Sequence, residues 1–183
     1  MNTAEFSFRR LTAADFPLLH AWLQRPHVAE WWQAPTSLEE LEEDYPPHDD
    51  SPSATRACIA WLADEPIGFI QCYVVMGSGD GWWPEESDPG ARGIDQFLAD
   101  AHRLGQGLGS AMVHAFVGQL FEDPLVSKIQ TDPTPGNVRA IRACQRAGFV
   151  PARTVETPDG PALLMICERA EWAAAKRAIT TAR

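Results

Sequence analysis

The sequence predicts an α/β fold, strands with two interior helices, and three observations lead there. Short apolar runs, alternating or continuous and bounded by Gly and Pro, recur along the chain as strands. Leu108, Met112, Phe116 and Leu120 return every fourth residue with Val113, Val117 and Phe121 beside them, which is the buried face of a helix. A glycine-spaced turn, Gly105-Gln-Gly-Leu-Gly109, joins a strand to that helix.

The elements follow in order. Phe6 and Phe8 alternate with polar neighbours in a first strand. Thr12 and Asp15 have N-cap and N3 spacing and open a helix carried by Leu18, Leu19, Trp22 and Leu23, which Pro26 ends. Ser37-Leu-Glu-Glu40 repeats the capping signature for a short helix that stops before Pro46-Pro47, and residues 46–53 form a loop. Residues 58–62 and 67–76 make an antiparallel hairpin around an Asp64-Glu-Pro turn. A loop rich in Gly, Trp and Pro then covers residues 77–93, and loops of that length tend to carry function. A strand at 94–99, the helix at 108–122, a strand at 126–131, a helix at 137–147 and two last strands joined by Pro158-Asp-Gly-Pro161 complete the domain. The Ala-rich, charged stretch 170–183 reads as a tail, helical or frayed, outside a single domain of residues 1–169.

Composition narrows the function. The formal net charge is −10, from 25 acidic against 15 basic residues, which argues against nucleic acid or an anionic membrane as partner and favours a cationic one. The same imbalance also serves solubility alone. No stretch approaches the roughly 20 apolar residues of a membrane span, and the first residues have no signal-peptide pattern, so a cytoplasmic location is expected. The cysteines at 58, 72, 144 and 167 form no C-x-x-C and are expected reduced and mostly buried; neither they nor the five histidines have metal-ligand spacing, so no metal is expected.

Some residues point to chemistry. The 105–110 turn frees backbone N–H groups at the positive end of a helix, a cradle for an anionic group. Without a following Lys-Ser/Thr it is no Walker loop, and a plain strand-to-helix connection has the same grammar. Asp95 interrupts an apolar strand, where a carboxylate needs a cleft, a cation or solvent at a strand end. Trp31-Trp32 and Trp82-Trp83 sit in polar or Gly-rich contexts, and one indole of each pair is expected to fill the core. The seven acids among residues 38–50 read as a solvated helix face, and Asn137 reads as an N-cap.

Taken together, Gly77-Ser-Gly-Asp-Gly-Trp-Trp83, Gly93-Ile-Asp-Gln96, Leu104 with the glycine turn, Lys128-Ile-Gln-Thr-Asp-Pro133, Asn137-Val-Arg-Ala-Ile-Arg142, Ala147-Gly-Phe149 and Thr157-Pro-Asp-Gly-Pro-Ala162 resemble the aminoglycoside 6′-N-acetyltransferases of the GNAT superfamily. The resemblance implies a GNAT fold, a mixed and mainly antiparallel sheet that splays at its fourth strand. It implies acetyl-CoA as co-substrate, its pyrophosphate on Leu104, Gly105, Gln106, Gly107, Leu108, Gly109 and Ser110. Its pantetheine would lie on the backbone of Gln96, Phe97 and Leu98 and against Asn137. The acceptor implied is a cationic aminoglycoside, with Asp95 as the catalytic carboxylate and Trp32, Tyr45, Asp80, Trp83 and Asp132 as its contacts. Cys144 stands where the superfamily carries a tyrosine that protonates the leaving thiolate; on the apolar face of its helix it reads as an inert core thiol.

Two other readings share these signatures: a GNAT enzyme for another amine, such as a hydroxylated lysine on a siderophore pathway, and a non-catalytic acyl-CoA-binding module. The sequence leaves open whether the chain acts as a monomer or a homodimer.

Overall fold

The structure, a computed structural model, describes residues 6–33, 37–46 and 55–174. Strand β1 (Phe6–Arg10) is followed by a 3-10 turn and helix α1 (Phe16–Leu23), a short α2 (Pro26–Ala29) and α3 (Leu38–Asp44). Then come β2 (Arg56–Leu62), β3 (Glu65–Val74), β4 (Ala91–Leu98), α4 (Leu108–Leu120), β5 (Lys128–Thr131), α5 (Val138–Ala147), β6 (Val150–Thr157) and β7 (Gly160–Glu168). Seven strands form one sheet in the order β1-β2-β3-β4-β5-β7-β6. β4 and β5 pair in parallel, while β1–β2, β2–β3, β5–β7 and β6–β7 are antiparallel, which is the mixed, mainly antiparallel sheet expected. The parallel ladder joins residues 91–93 to residues 128–130.

The chain divides into two compact units, Met1–Tyr73 with Asp95–Met112 and Val74–Ile94 with Val113–Arg183. In the first, Leu19, Leu23, Leu41, Ile59 and Phe69 form the buried centre. The Thr12 backbone N–H (2.9 Å) and hydroxyl (2.8 Å) both donate to the Asp15 carboxylate, which fixes the entry into α1. Ser37 Oγ accepts from the Glu40 N–H at 3.1 Å, so the second capping signature also holds; Glu39, Glu40, Glu42, Glu43 and Asp44 are the exposed face it implied. In the second unit, Phe116, Val117, Ile129, Cys144 and Met165 are buried. Arg169 donates to the carbonyls of Phe121 (2.8 Å), Val126 (2.5 Å) and Asp123, closing the end of α4 with its fixed fork of donors. Residues 169–174 are helical, and Trp172 is buried with its ring 4.3 Å from that of His114. The tail is therefore packed as far as it is described.

Three local expectations change. Pro26 starts α2 instead of merely closing α1, because its missing N–H is harmless at a first helical position. The β2–β3 turn is Ala63-Asp64, with Ala63 in the left-handed region (φ 54°), and Pro66 lies in β3 beside a bulge at Ala60/Trp61. β4 begins at Ala91, three residues before the expected start, since Arg92 and Gly93 join the ladder to β5. The expected loop at 46–53 lies, after Pro46, outside the described residues.

Candidate functional site

In the first unit the site is built on β3 and β4. Val75 donates to the Ala91 carbonyl (3.3 Å) and Ala99 to that of Ile67 (2.9 Å), and these two bonds are in register. They set Gln71 opposite Asp95 and Phe69 opposite Phe97, with the peptides of residues 95 and 97 turned to β3. The side chains agree. Gln71 Nε2 donates to Asp95 Oδ2 at 2.9 Å, and the rings of Phe69 and Phe97 stack at 5.6 Å. Asp95 is half-buried, one of its oxygens fixed by an uncharged donor.

Aromatic side chains share that face. Trp32 meets Phe69 (5.7 Å) and Phe97 (5.3 Å) edge-on, and Tyr45 meets Phe69 at 5.6 Å. Trp31 is 42% exposed, so Trp32 is the core-contacting member of its pair as well as the candidate contact. Burial pushes the Tyr45 phenol well above its usual range, and the carboxylates of Asp95 and Asp44 push it further. Tyr45 is thus a neutral hydroxyl within the field of Asp95.

β4 leads from Asp95 into the glycine turn. By the alternation of the pleat, Gln96 and Leu98 turn their peptide groups to the edge opposite β3, whereas Phe97 contributes its ring. The Leu98 carbonyl accepts from His27 Nε2 (3.0 Å) and that of Ala99 from Arg25 (2.6 Å), which ties the strand end to α2. A 3-10 turn (Ala101–Arg103) follows; Arg103 pairs with Glu65 at 2.6 Å, and Leu104 is extended. Gly105 and Gly107 have φ of 76° and 85°, and a Cβ on either would meet nothing within 4 Å. Gln106 Nε2 donates to the His102 carbonyl at 2.7 Å, holding the loop's form. Ala111 donates to the Gly107 carbonyl (3.0 Å), so the N–H groups of Leu108, Gly109 and Ser110 precede the first ladder bond of α4. Open space over left-handed glycines, next to unladdered N–H groups, fits an anionic diphosphate.

In the second unit the loop from β3 to β4 carries Asp80 and Trp83. Both are left-handed at φ 49°, among Gly77, Gly79 and Gly81, also at positive φ. For a bulky residue such as Trp83 that backbone is an outlier, and strain of this sort gathers at functional loops. Trp83 is half-buried with its ring 6.1 Å from that of Trp82, and its indole N–H is buried without an acceptor among the described residues. Asp132 is half-buried just after β5. Asn137 is the N-cap of α5, its Oδ1 accepting from the Ala140 N–H at 3.1 Å, which leaves its amide NH2 for another role. Cys144 is fully buried in α5. All four cysteines are free and buried; burial, with Glu171 and Glu168, pushes the Cys167 thiol up to about 12. Among the described residues no group of His, Cys, Asp and Glu could hold a metal ion, and no helix is long and apolar enough to cross a membrane.

Sequence reasoning missed Gln71 and Phe69, whose alignment with Asp95 and Phe97 depends on the register of β3 on β4. A polar Gln inside the apolar run of β3 was the available signal.

Known proteins are similar to this chain in sequence and fold. The acetyltransferase (GNAT) domain family matches residues 12–157. The aminoglycoside N(6′)-acetyltransferase type 1 of Serratia marcescens is 49% identical over 174 residues, 93% of this chain and 87% of that protein. The crystal structure of aminoglycoside acetyltransferase AAC(6′)-Ib with coenzyme A and kanamycin superposes with a TM-score of 0.89 at 49% identity, covering 94% of this chain and 99% of that one. A structure of AAC(6′)-Ib with paromomycin and acetyl-CoA gives a TM-score of 0.88 at 49% identity, covering 92% and 96%.

Proposed function

The chain belongs to the GNAT acetyltransferase family, and we propose that within it the protein moves the acetyl group of acetyl-CoA to the 6′-amine of an aminoglycoside in a ternary complex. The relatives solved with aminoglycoside and coenzyme A together support direct transfer. The observation that carries the reading is a carboxylate, Asp95, fixed by Gln71 on a face lined by Trp32, Tyr45 and Phe97, on a strand that runs into an open anion cradle.

Each residue has a task. The N–H groups at 105–110 hold the co-substrate's diphosphate, the outward peptide group of Gln96 and the Leu98 N–H pair with its pantetheine arm, and the Asn137 amide meets the same arm. Acetyl-CoA supplies the activated acyl carbonyl. Trp32 and Tyr45 bound the sugar ring, and Asp80, Trp83 and Asp132 bind the other ammonium groups and faces of the acceptor.

Asp95 orients the reacting amine and takes its proton. Attack needs the neutral amine, whose first proton goes to solvent, since a carboxyl group of pKa about 4 cannot strip an ammonium of about 10; as the bond to carbon forms the nitrogen acidifies sharply, and Asp95 takes the proton it then loses. Cys144, with no surface, does not protonate the departing thiolate, so either water supplies the proton or the thiolate leaves free.

The test is CoA release from acetyl-CoA with kanamycin and with a counterpart bearing a 6′-hydroxyl. Turnover with the amine alone supports the reading. Turnover with both moves the reacting nitrogen elsewhere, and turnover with neither, despite acetyl-CoA binding, favours another acceptor or a binding module.

A further inference from the structure

The loop carrying Asp80 and Trp83 is uneven in how it is held. Its first half is the left-handed stretch at residues 77–83, secured internally by Ser78 Oγ donating to the Val75 carbonyl (2.9 Å) and Trp82 N–H to that of Gly79 (2.8 Å). Its second half is bound to the segment entering β5. Glu86 Oε2 pairs with Lys128 Nζ at 2.8 Å, the two side chains only 15% and 20% exposed, while Glu86 Oε1 accepts from the Asp88 N–H at 2.9 Å. Asp88 accepts from the Gly90 N–H (2.8 Å) and from Ser127 Oγ (2.6 Å), and Ser127 N–H donates to the Gly90 carbonyl (3.1 Å). Gly90 lies so close that a Cβ would stand 2.5 Å from the Leu125 carbonyl. The Glu86 N–H donates to the Trp83 carbonyl at 3.0 Å, so the clamp reaches the strained residue directly.

We propose that the Glu86–Lys128 ion pair is a positioning device for the acceptor: it holds Trp83, and Asp80 behind it, in the left-handed backbone that presents them to an aminoglycoside. The inference rests on the proposed role of this loop. A left-handed Trp relaxes unless its surroundings over-determine it. The ion pair does so from one side, because Glu86 is engaged by Lys128 through its side chain and by Trp83 through its backbone. A surface ion pair would be too weak for this task, but two mostly buried charges bind each other with little screening by water. Lys128 acts through Glu86 and is a positioning residue, with no contact to substrate required.

The test is steady-state kinetics on the full-length enzyme for Lys128→Gln, for the doubly neutral Glu86→Gln/Lys128→Gln and for the charge swap Glu86→Lys/Lys128→Glu, with Asp80→Asn as the benchmark. In Lys128→Gln the kanamycin KM should rise roughly tenfold as the competent loop falls to a minor population, with the acetyl-CoA KM within about twofold. The charge swap should recover most of that loss. A tenfold rise in Asp80→Asn with no rise in Lys128→Gln overturns the positioning device and spares the loop's role. No rise in Asp80→Asn overturns the loop's role and the proposal with it. Should Lys128→Gln fail to fold, the doubly neutral variant, which leaves no uncompensated charge, decides by the same criterion. Equal rises in both KM values would mark a structural role only and overturn the proposal.

Discussion

Replacing Asp95 by Asn tests the chemistry with the least disturbance of shape. The amide oxygen can still accept from Gln71 Nε2, now 2.9 Å from Oδ2, so the cross-strand bond survives. What is lost is a charge-assisted bond of about 1.5–3 kcal/mol in exchange for a neutral one of about 0.5–1.5, offset by the relief of a half-buried charge. Stability should therefore move by about 1 kcal/mol or less. Catalysis should move far more. A positioned general base is worth about 10²–10⁴-fold, which at 1.36 kcal/mol per decade is about 3–5 kcal/mol of barrier. The assay is CoA release under saturating kanamycin, with acetyl-CoA affinity measured separately by calorimetry; kcat should fall by at least about a hundredfold while that affinity holds. A kcat within a few-fold of the parent, in a protein that keeps its acetyl-CoA affinity, would refute Asp95 as the proton acceptor.

Three further outcomes are expected. Gly107→Ala puts a side chain on a residue at φ 85° with open space around it, so the strain of about 1–2 kcal/mol should appear as a several-fold higher acetyl-CoA KM with the kanamycin KM unchanged. Cys144→Ala should leave kcat within a few-fold while lowering Tm by a few degrees, because a fully buried thiol fills space without reaching the reaction; kinetics and a thermal melt decide. The Asp88 carboxyl is held below its usual range by the Ser127 hydroxyl and the Gly90 N–H. Its contribution is present above the unfolded pKa, about 3.9, and is lost as pH falls through the lower folded value; Ser127→Ala should flatten the acid-side fall of stability in urea melts taken from pH 5 downward.

Most of the local structure follows from neighbouring residues alone, because those signals are short-range. The fourth-residue period of 108–120, the capping pairs Thr12/Asp15 and Ser37/Glu40 and the left-handed glycines 105 and 107 act within a turn or two of themselves, and each stands where the residues put it. Asp95 and the aromatic candidates were legible as residues out of keeping with their surroundings. Which residues face one another is a matter of how the strands pair. Gln71 reaches Asp95 because β3 and β4 pair in one register and not in one shifted by a residue, which would turn Gln71 to the other face. Lys128 meets Glu86 because the parallel pairing of β4 with β5 brings together segments far apart in the chain. A strand's side-chain pattern states which residues share a face; pairing partners are set by the whole sheet, whose energy no local window contains.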